Sequence, residues 1–250
     1  PDILMKRPDL VTKINEWFDR FDISYGLKVE ILKRNLFSLS LIDKKTVGVH
    51  AWNHRLWQDH LNELPLQKIR DELGRACEHY EKILGHRPGS TAAPAWLCNE
   101  LSLRVQDELG LDYSSDTRGD SPFFPVIKGQ GFKTMQIPTT MTCLEEVMGR
   151  DMDLARSVYL SGELREDAPN VFPVHAEVEG NVYRTIFHDR LRETLDRGVR
   201  YFPLRELHET YRKQDLPSSP VICREIPGRG GVVAVQDTRS AGCNVQRSPQ

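Results

Sequence analysis

An α/β barrel is the fold class that the sequence predicts, and three observations lead to it. The chain has 250 residues, enough to bury one large core. Helical and strand signals alternate after residue 45, and helices between strands imply parallel pairing. The residues with catalytic chemistry fall at strand ends, the edge on which the sites of α/β barrels open.

The elements follow in order. Pro8 to Phe21 carries Leu10, Ile14, Trp17, Phe18 and Phe21 at helical spacing and predicts an amphipathic helix. Gly26 to Leu41 sets Leu27, Ile31, Phe37 and Leu39 among Lys28, Lys33 and Arg34. Such a helix suits either packing on a barrel or an anionic membrane surface. Thr46 to Val49 is a short β-branched strand, with Gly48 opposing helix. Leu66 to Leu84 is a strong helix stopped by Gly85, and Asn99 to Leu109 is another, closed by Gly110. Between them, a short segment runs near Thr91 to Ala95. Further strands are expected at Leu111 to Ser115, Lys133 to Ile137, Val171 to His175 and Val199 to Phe202, with helices at Val182 to Arg197 and Leu204 to Lys213. The polar end predicts a disordered tail over 236–250. The expected organisation is a helical segment over 1–45, a barrel domain over 46–235, and that tail.

Composition narrows the functional classes. A net charge of −2, with Lys and Arg spread along the chain, leaves no nucleic-acid footprint. The five cysteines include no CxxC pair, which favours a reducing compartment. No apolar run approaches the ~20 residues of a membrane span, and no signal peptide is read.

Three clusters carry chemistry. His50 and His54 are four residues apart just after a strand, a spacing that suits metal ligands and also two surface histidines. Ala51 stands where the zinc-protease pattern has its catalytic Glu. Asp116, in Tyr113-Ser114-Ser115-Asp116-Thr117-Arg118-Gly119, follows a strand, where it suits either an Asx turn or orientation of an imidazole. His175 ends another apolar run, with Glu177 and Glu179 behind it. Loops on one edge of a parallel sheet converge on a common mouth.

Taken together, His50-Ala51-Trp52-Asn53-His54, the Tyr113 to Gly119 segment, Gln136-Ile137-Pro138-Thr139, Val147-Met148-Gly149-Arg150-Asp151 and His175-Ala176-Glu177-Val178-Glu179-Gly180 resemble the polysaccharide deacetylase (NodB homology) family, in order and spacing. The likeness runs from about Val47 to Val235. Within the family it leans to the branch that removes an N-formyl group from a lipid-linked amino sugar during lipid A modification. The resemblance implies a distorted barrel of about seven βα units around one divalent metal ion. His50 and His54 match the family's His ligands, His175 its general acid and Asp116 the carboxyl that tunes that acid. Trp52, Arg118, Glu177 and Glu179 are the expected substrate contacts. Imidazole ligands suit zinc, iron, manganese, cobalt or nickel alike.

One departure stands out. Family members open with a strand ending in an Asp motif that supplies a metal ligand and the base, and no such strand precedes His50. Asp19 and Asp22 lie in a helical pattern, Asp43 in a lysine-flanked turn, and the Asp151/Asp153 pair in a later loop. The expected fold is therefore an incomplete, distorted (β/α)7 barrel lacking its first strand or strands, with His50, His54, Asp116 and His175 gathered at one mouth. Three readings follow: a metal-dependent deformylase, inactive if truncated; a polysaccharide N-deacetylase; or a catalytically dead sugar-binding domain. The lack of a signal sequence and of a disulfide pattern predicts the cytoplasmic side, and the resemblance adds an expected peripheral contact at the inner membrane.

Overall fold

The computed structural model describes residues 47–147, 159, 164–166, 168–175 and 178–239. The two helices expected in residues 1–45, the Asp151/Asp153 pair, Glu177 and residues 240–250 lie outside these residues.

A short parallel sheet forms the centre. Val49 pairs in parallel with Thr91, its N–H bonding Ser90 O at 3.0 Å while its carbonyl accepts Ala92 N–H at 3.0 Å. Strand β1 (Ser90–Thr91) pairs with β2 (Tyr113–Ser114), which pairs with β5 (Met135–Gln136), all parallel. Helices cross between Val49 and β1 and between β1 and β2, whereas two short strands and no helix lie between β2 and β5. Gly48 is required here: a Cβ on it would stand 2.8 Å from Ser90 Oγ and 2.9 Å from Ser90 O.

The helices form where their caps and apolar periods place them. α1 (His54–His60) starts at Asn53, whose side chain accepts Leu56 N–H. α2 (Leu66–Leu84) ends at Gly85, left-handed at φ 77°, with its N–H on Glu81 O at 2.8 Å. α3 (Glu100–Leu109) opens with a reciprocal Asn99/Ser102 box and closes at Gly110. Ile69 and Leu73 of α2 and Val105 of α3 bury against Trp57, Leu61 and Ala93. On another side of the sheet, Leu207 of α5 (Leu204–Tyr211) packs with Tyr113, Met135 and Ile137. α4 (Arg184–Asp196) precedes it.

A second, mixed sheet has the order β4-β3-β6-β7, from β3 (Phe124–Ile127), β4 (Gln130–Gly131), β6 (Ser218–Glu225) and β7 (Val232–Gln236). β3 and β6 are parallel, while the other two pairs are antiparallel hairpins. Single bridges from Arg118 to Thr139 and to Val235, and from Phe123 to Gln136, tie the sheets together. The described residues thus form a mixed α/β fold of two linked sheets, and not a ring of seven parallel strands.

Two expected strands are absent as such. Val171 to His175 is extended but joins no ladder; Pro173 has no N–H to give, and Val171 spends its backbone on Thr140 and Met141. Val199 to Phe202 also forms no ladder, since Val199 N–H closes α4 by bonding Thr194 O at 3.0 Å. Of the segment expected as a tail, Gln236 is buried at the end of β7 and Asp237 N–H bonds Pro220 O at 2.8 Å, so these two residues belong to the fold.

Packing of α2 on the sheet should dominate stability. Ile69 is fully buried and Ile83, on the same helix, is 55% exposed. Ile69→Ala is expected to cost about 2–5 kcal/mol and Ile83→Ala less than about 0.5 kcal/mol, measured by urea unfolding. Equal costs would show that α2 does not bury the face described.

Candidate active site

The His50–His54 loop is held from two sides. His50 Nδ1 bonds the Ala92 carbonyl at the end of β1, which directs the other ring nitrogen outward. Asn53 N–H donates to Glu72 Oε2 at 2.8 Å, so a buried carboxylate on α2, paired with Lys68 at 3.1 Å, fixes the start of α1 and with it His54. Between them Ala51 takes a left-handed φ of 56°, a conformation that costs a non-glycine residue energy and recurs at functional sites. The two imidazole centroids lie 5.2 Å apart.

Asp116 is fully buried and takes donors from three directions. Its Oδ1 accepts Ala93 N–H at 2.7 Å; its Oδ2 accepts Gln106 Nε2 at 2.6 Å and Gln136 Nε2 at 3.3 Å. Burial pushes its carboxyl up to about 6, while the hydrogen bonds from Gln106, Gln136, Ala93 and Ser114 pull the other way. None of these bonds goes to His175. Because Ala93 adjoins Ala92, Asp116 acts on the His50 side of the site, where the sequence had suggested orientation of the acid.

His175 is instead held by Glu145, whose Oε1 lies 2.7 Å from His175 Nδ1. Burial, the largest single influence, works to raise the Glu145 carboxyl, but the His175 imidazole, a backbone N–H and the Cys143 side chain together hold the group below its ordinary value. Glu179 is fully buried, accepting His175 N–H at 2.9 Å and Tyr159 O–H at 3.4 Å. Its contribution is therefore to the backbone of His175, and its own carboxyl is raised by burial. The Trp96 ring meets His175 edge-on at 6.0 Å. Glu145 escaped the sequence reading, although it stands two residues before the quoted Val147 motif.

The remaining expected contacts divide. Arg118 pairs with Glu146 at 2.6 Å, bonds Met141 O at 3.0 Å, and faces a separate cleft of about 550 Å³. Trp52 is buried with Val49, Ala76, Cys77 and Tyr80, under the Arg75 guanidinium at 4.5 Å. Neither lines the main cavity. Glu177 lies outside the described residues.

That cavity, of about 770 Å³, brings His50, His54 and His175 together. Arg190, Arg200 and Arg229 share its wall, and none of the described residues lining it is an Asp or Glu. His50 and His54 fit a divalent ion as two nitrogen donors, with His50 oriented by the Ala92 carbonyl. Among the described residues, no carboxylate or thiol completes a group of three close donors with them.

The raised Asp116 carboxyl has a measurable consequence. The native state holds this proton more tightly than the unfolded chain, so Asp116 alone makes the fold less stable as pH rises from about 4 to about 6. Its carboxyl carbon should titrate in an NMR experiment with a midpoint near 6. A midpoint below 4 would mean that the surrounding amides outweigh burial.

No family model matches the chain. The chain is 28% identical over 193 residues to the probable 4-deoxy-4-formamido-L-arabinose-phosphoundecaprenol deformylase ArnD of Shewanella sediminis, covering 76% of this chain and 61% of that protein. It is also 28% identical over 193 residues to the protein of that name from Wigglesworthia glossinidia brevipalpis, covering 67% of it. The chain thus spans about three fifths to two thirds of the length of these relatives. In structure it is similar to a Mycobacterium smegmatis protein assigned as a polysaccharide deacetylase, with a TM-score of 0.50 at 18% identity, covering 72% of this chain and 67% of that one. The chain is thus similar in sequence to these deformylases and in fold to a protein assigned as a polysaccharide deacetylase.

Proposed function

We propose that this chain carries the site of a metal-dependent amide hydrolase that removes an N-formyl group from a lipid-linked amino sugar. The observation that supports it most is the convergence of His50, His54 and His175 on one cavity from separate parts of the chain. In this reading His50 and His54 hold one divalent ion, which supplies a Lewis acid and an activated water. His175 delivers a proton to the departing nitrogen; with Nδ1 against Glu145, that proton sits on Nε2. Glu145 steadies the imidazolium, and Glu179 fixes the backbone that carries it. Asp116 holds the Ala92–Ala93 turn against which His50 is set.

The cavity wall favours a phosphate-linked substrate over a plain N-acetylated polysaccharide. Arg200 and Arg229 in the cavity wall suit a phosphate group. Val174, Tyr201 and Phe202 line the same cavity and are exposed, an apolar rim that suits a lipid chain or a bilayer surface. No described helix is long and apolar enough to cross a membrane. Membrane contact in this reading is peripheral, on the cytoplasmic side. The second reading, a domain that binds the sugar without hydrolysing it, is favoured by the described residues bringing no third close donor to His50 and His54.

Formate release from the lipid-linked formamido sugar separates the two. His50→Ala and His54→Ala are each expected to remove one equivalent of bound metal and to abolish formate release; metal content unchanged in both would refute the ligand assignment. His175→Ala should lower turnover by roughly 100-fold or more with the first metal equivalent retained. Glu145→Gln should lower kcat with little change in KM, because it acts through His175. If the unaltered chain binds the sugar and releases no formate, the binding reading stands.

A further inference from the structure

We propose that Cys143, Glu145 and His175 form a second metal site, distinct from the His50–His54 pair and suited to a thiophilic divalent cation such as Zn²⁺. One donor atom from each of the three lies within 4.8 Å of the others. The turn Leu144–Glu146 makes this possible: Cys143 caps it from the inside, fully buried, and Glu145 projects from it to His175. An independent sign is Glu145 Oε2, a buried carboxylate oxygen with no hydrogen-bond partner among the described residues. The cavity supplies an entry path, since His175 lines it.

The chemistry matches zinc. Sulfur, nitrogen and oxygen donors at bonds of about 2.0–2.3 Å lie about 3.3–3.8 Å apart on a tetrahedron, so closure needs movements of about 1 Å. Glu145 and His175 have side chains that are about one third exposed and can make them. Binding displaces the thiol proton to water. The resulting thiolate and carboxylate cancel the charge of the cation, a neutral complex that tolerates burial. A water fills the fourth position. The cation takes the His175 nitrogen that otherwise faces Glu145, so the imidazole can no longer become an imidazolium. If His175 is the acid proposed above, the occupied site switches it off.

The test uses Co²⁺ as a spectroscopic probe and does not depend on turnover, so it stands or falls apart from the hydrolase reading. In the chain carrying His50→Ala and His54→Ala, one equivalent of Co²⁺ should bind with a thiolate-to-cobalt charge-transfer band in the near ultraviolet, which Zn²⁺ should abolish. Adding Cys143→Ser should remove the band with the far-ultraviolet circular dichroism unchanged. Should that variant fail to fold, His175→Ala in the same background should weaken Co²⁺ binding at least tenfold. Absence of the band, its persistence in Cys143→Ser, or unaltered affinity in His175→Ala would overturn the proposal.

Discussion

The buried carboxylate of Asp116 is the interaction on which the His50 side of the site depends. It is an acceptor placed where three elements meet, and each satisfies it with a different donor: Ala93 from the turn after β1, Gln106 from α3 and Gln136 from β5. A buried acceptor without donors would cost about 1–3 kcal/mol or more for a charged group. Here the donors are themselves constrained. Gln136 also gives an N–H to Ser114 at 2.7 Å and accepts Asp116 N–H at 3.1 Å. The network therefore fixes the turn after β1 relative to its neighbours, and the next carbonyl along that turn orients His50.

How far the sequence could be read depends on the range of the forces involved. α2 and α3 were legible because their apolar spacing, Asn99 and the glycines at 85 and 110 are local signals, and the structure has them within one residue. β2 and β5 were legible as apolar runs beside those helices, whereas at β1 the sequence offered only a short segment near Thr91 to Ala95. β6 and β7 were not, since Pro220 interrupts the first and the pairing of Val221 with Gln236 is visible only in three dimensions. Val171 to His175 misled for the opposite reason: it has strand composition, but its backbone is taken up by Thr140 and Met141.

The candidate site divides along the same line. His50, His54 and His175 were found by residue type and spacing, and all three line the cavity. Glu145 was missed because its partner lies 30 residues on, and nothing near it in sequence marks it. Trp52 and Arg118 lie in segments whose resemblance is real, yet each is engaged elsewhere, Trp52 in the core and Arg118 with Glu146. A motif identifies a segment; which of its side chains reach the cavity is decided by packing.

Trp96 carries a different consequence. Its backbone is left-handed at φ 50°, its indole N–H bonds Thr139 Oγ1 at 2.9 Å, and the guanidinium groups of Arg118 and Arg229 lie 5.1 and 4.4 Å from its ring, with His175 at its edge. Indole emission responds to charge nearby. One of the four tryptophans of the chain is thus placed as an optical sensor in the cavity wall. Its fluorescence would report ligand entry and the charge on His175 without any label.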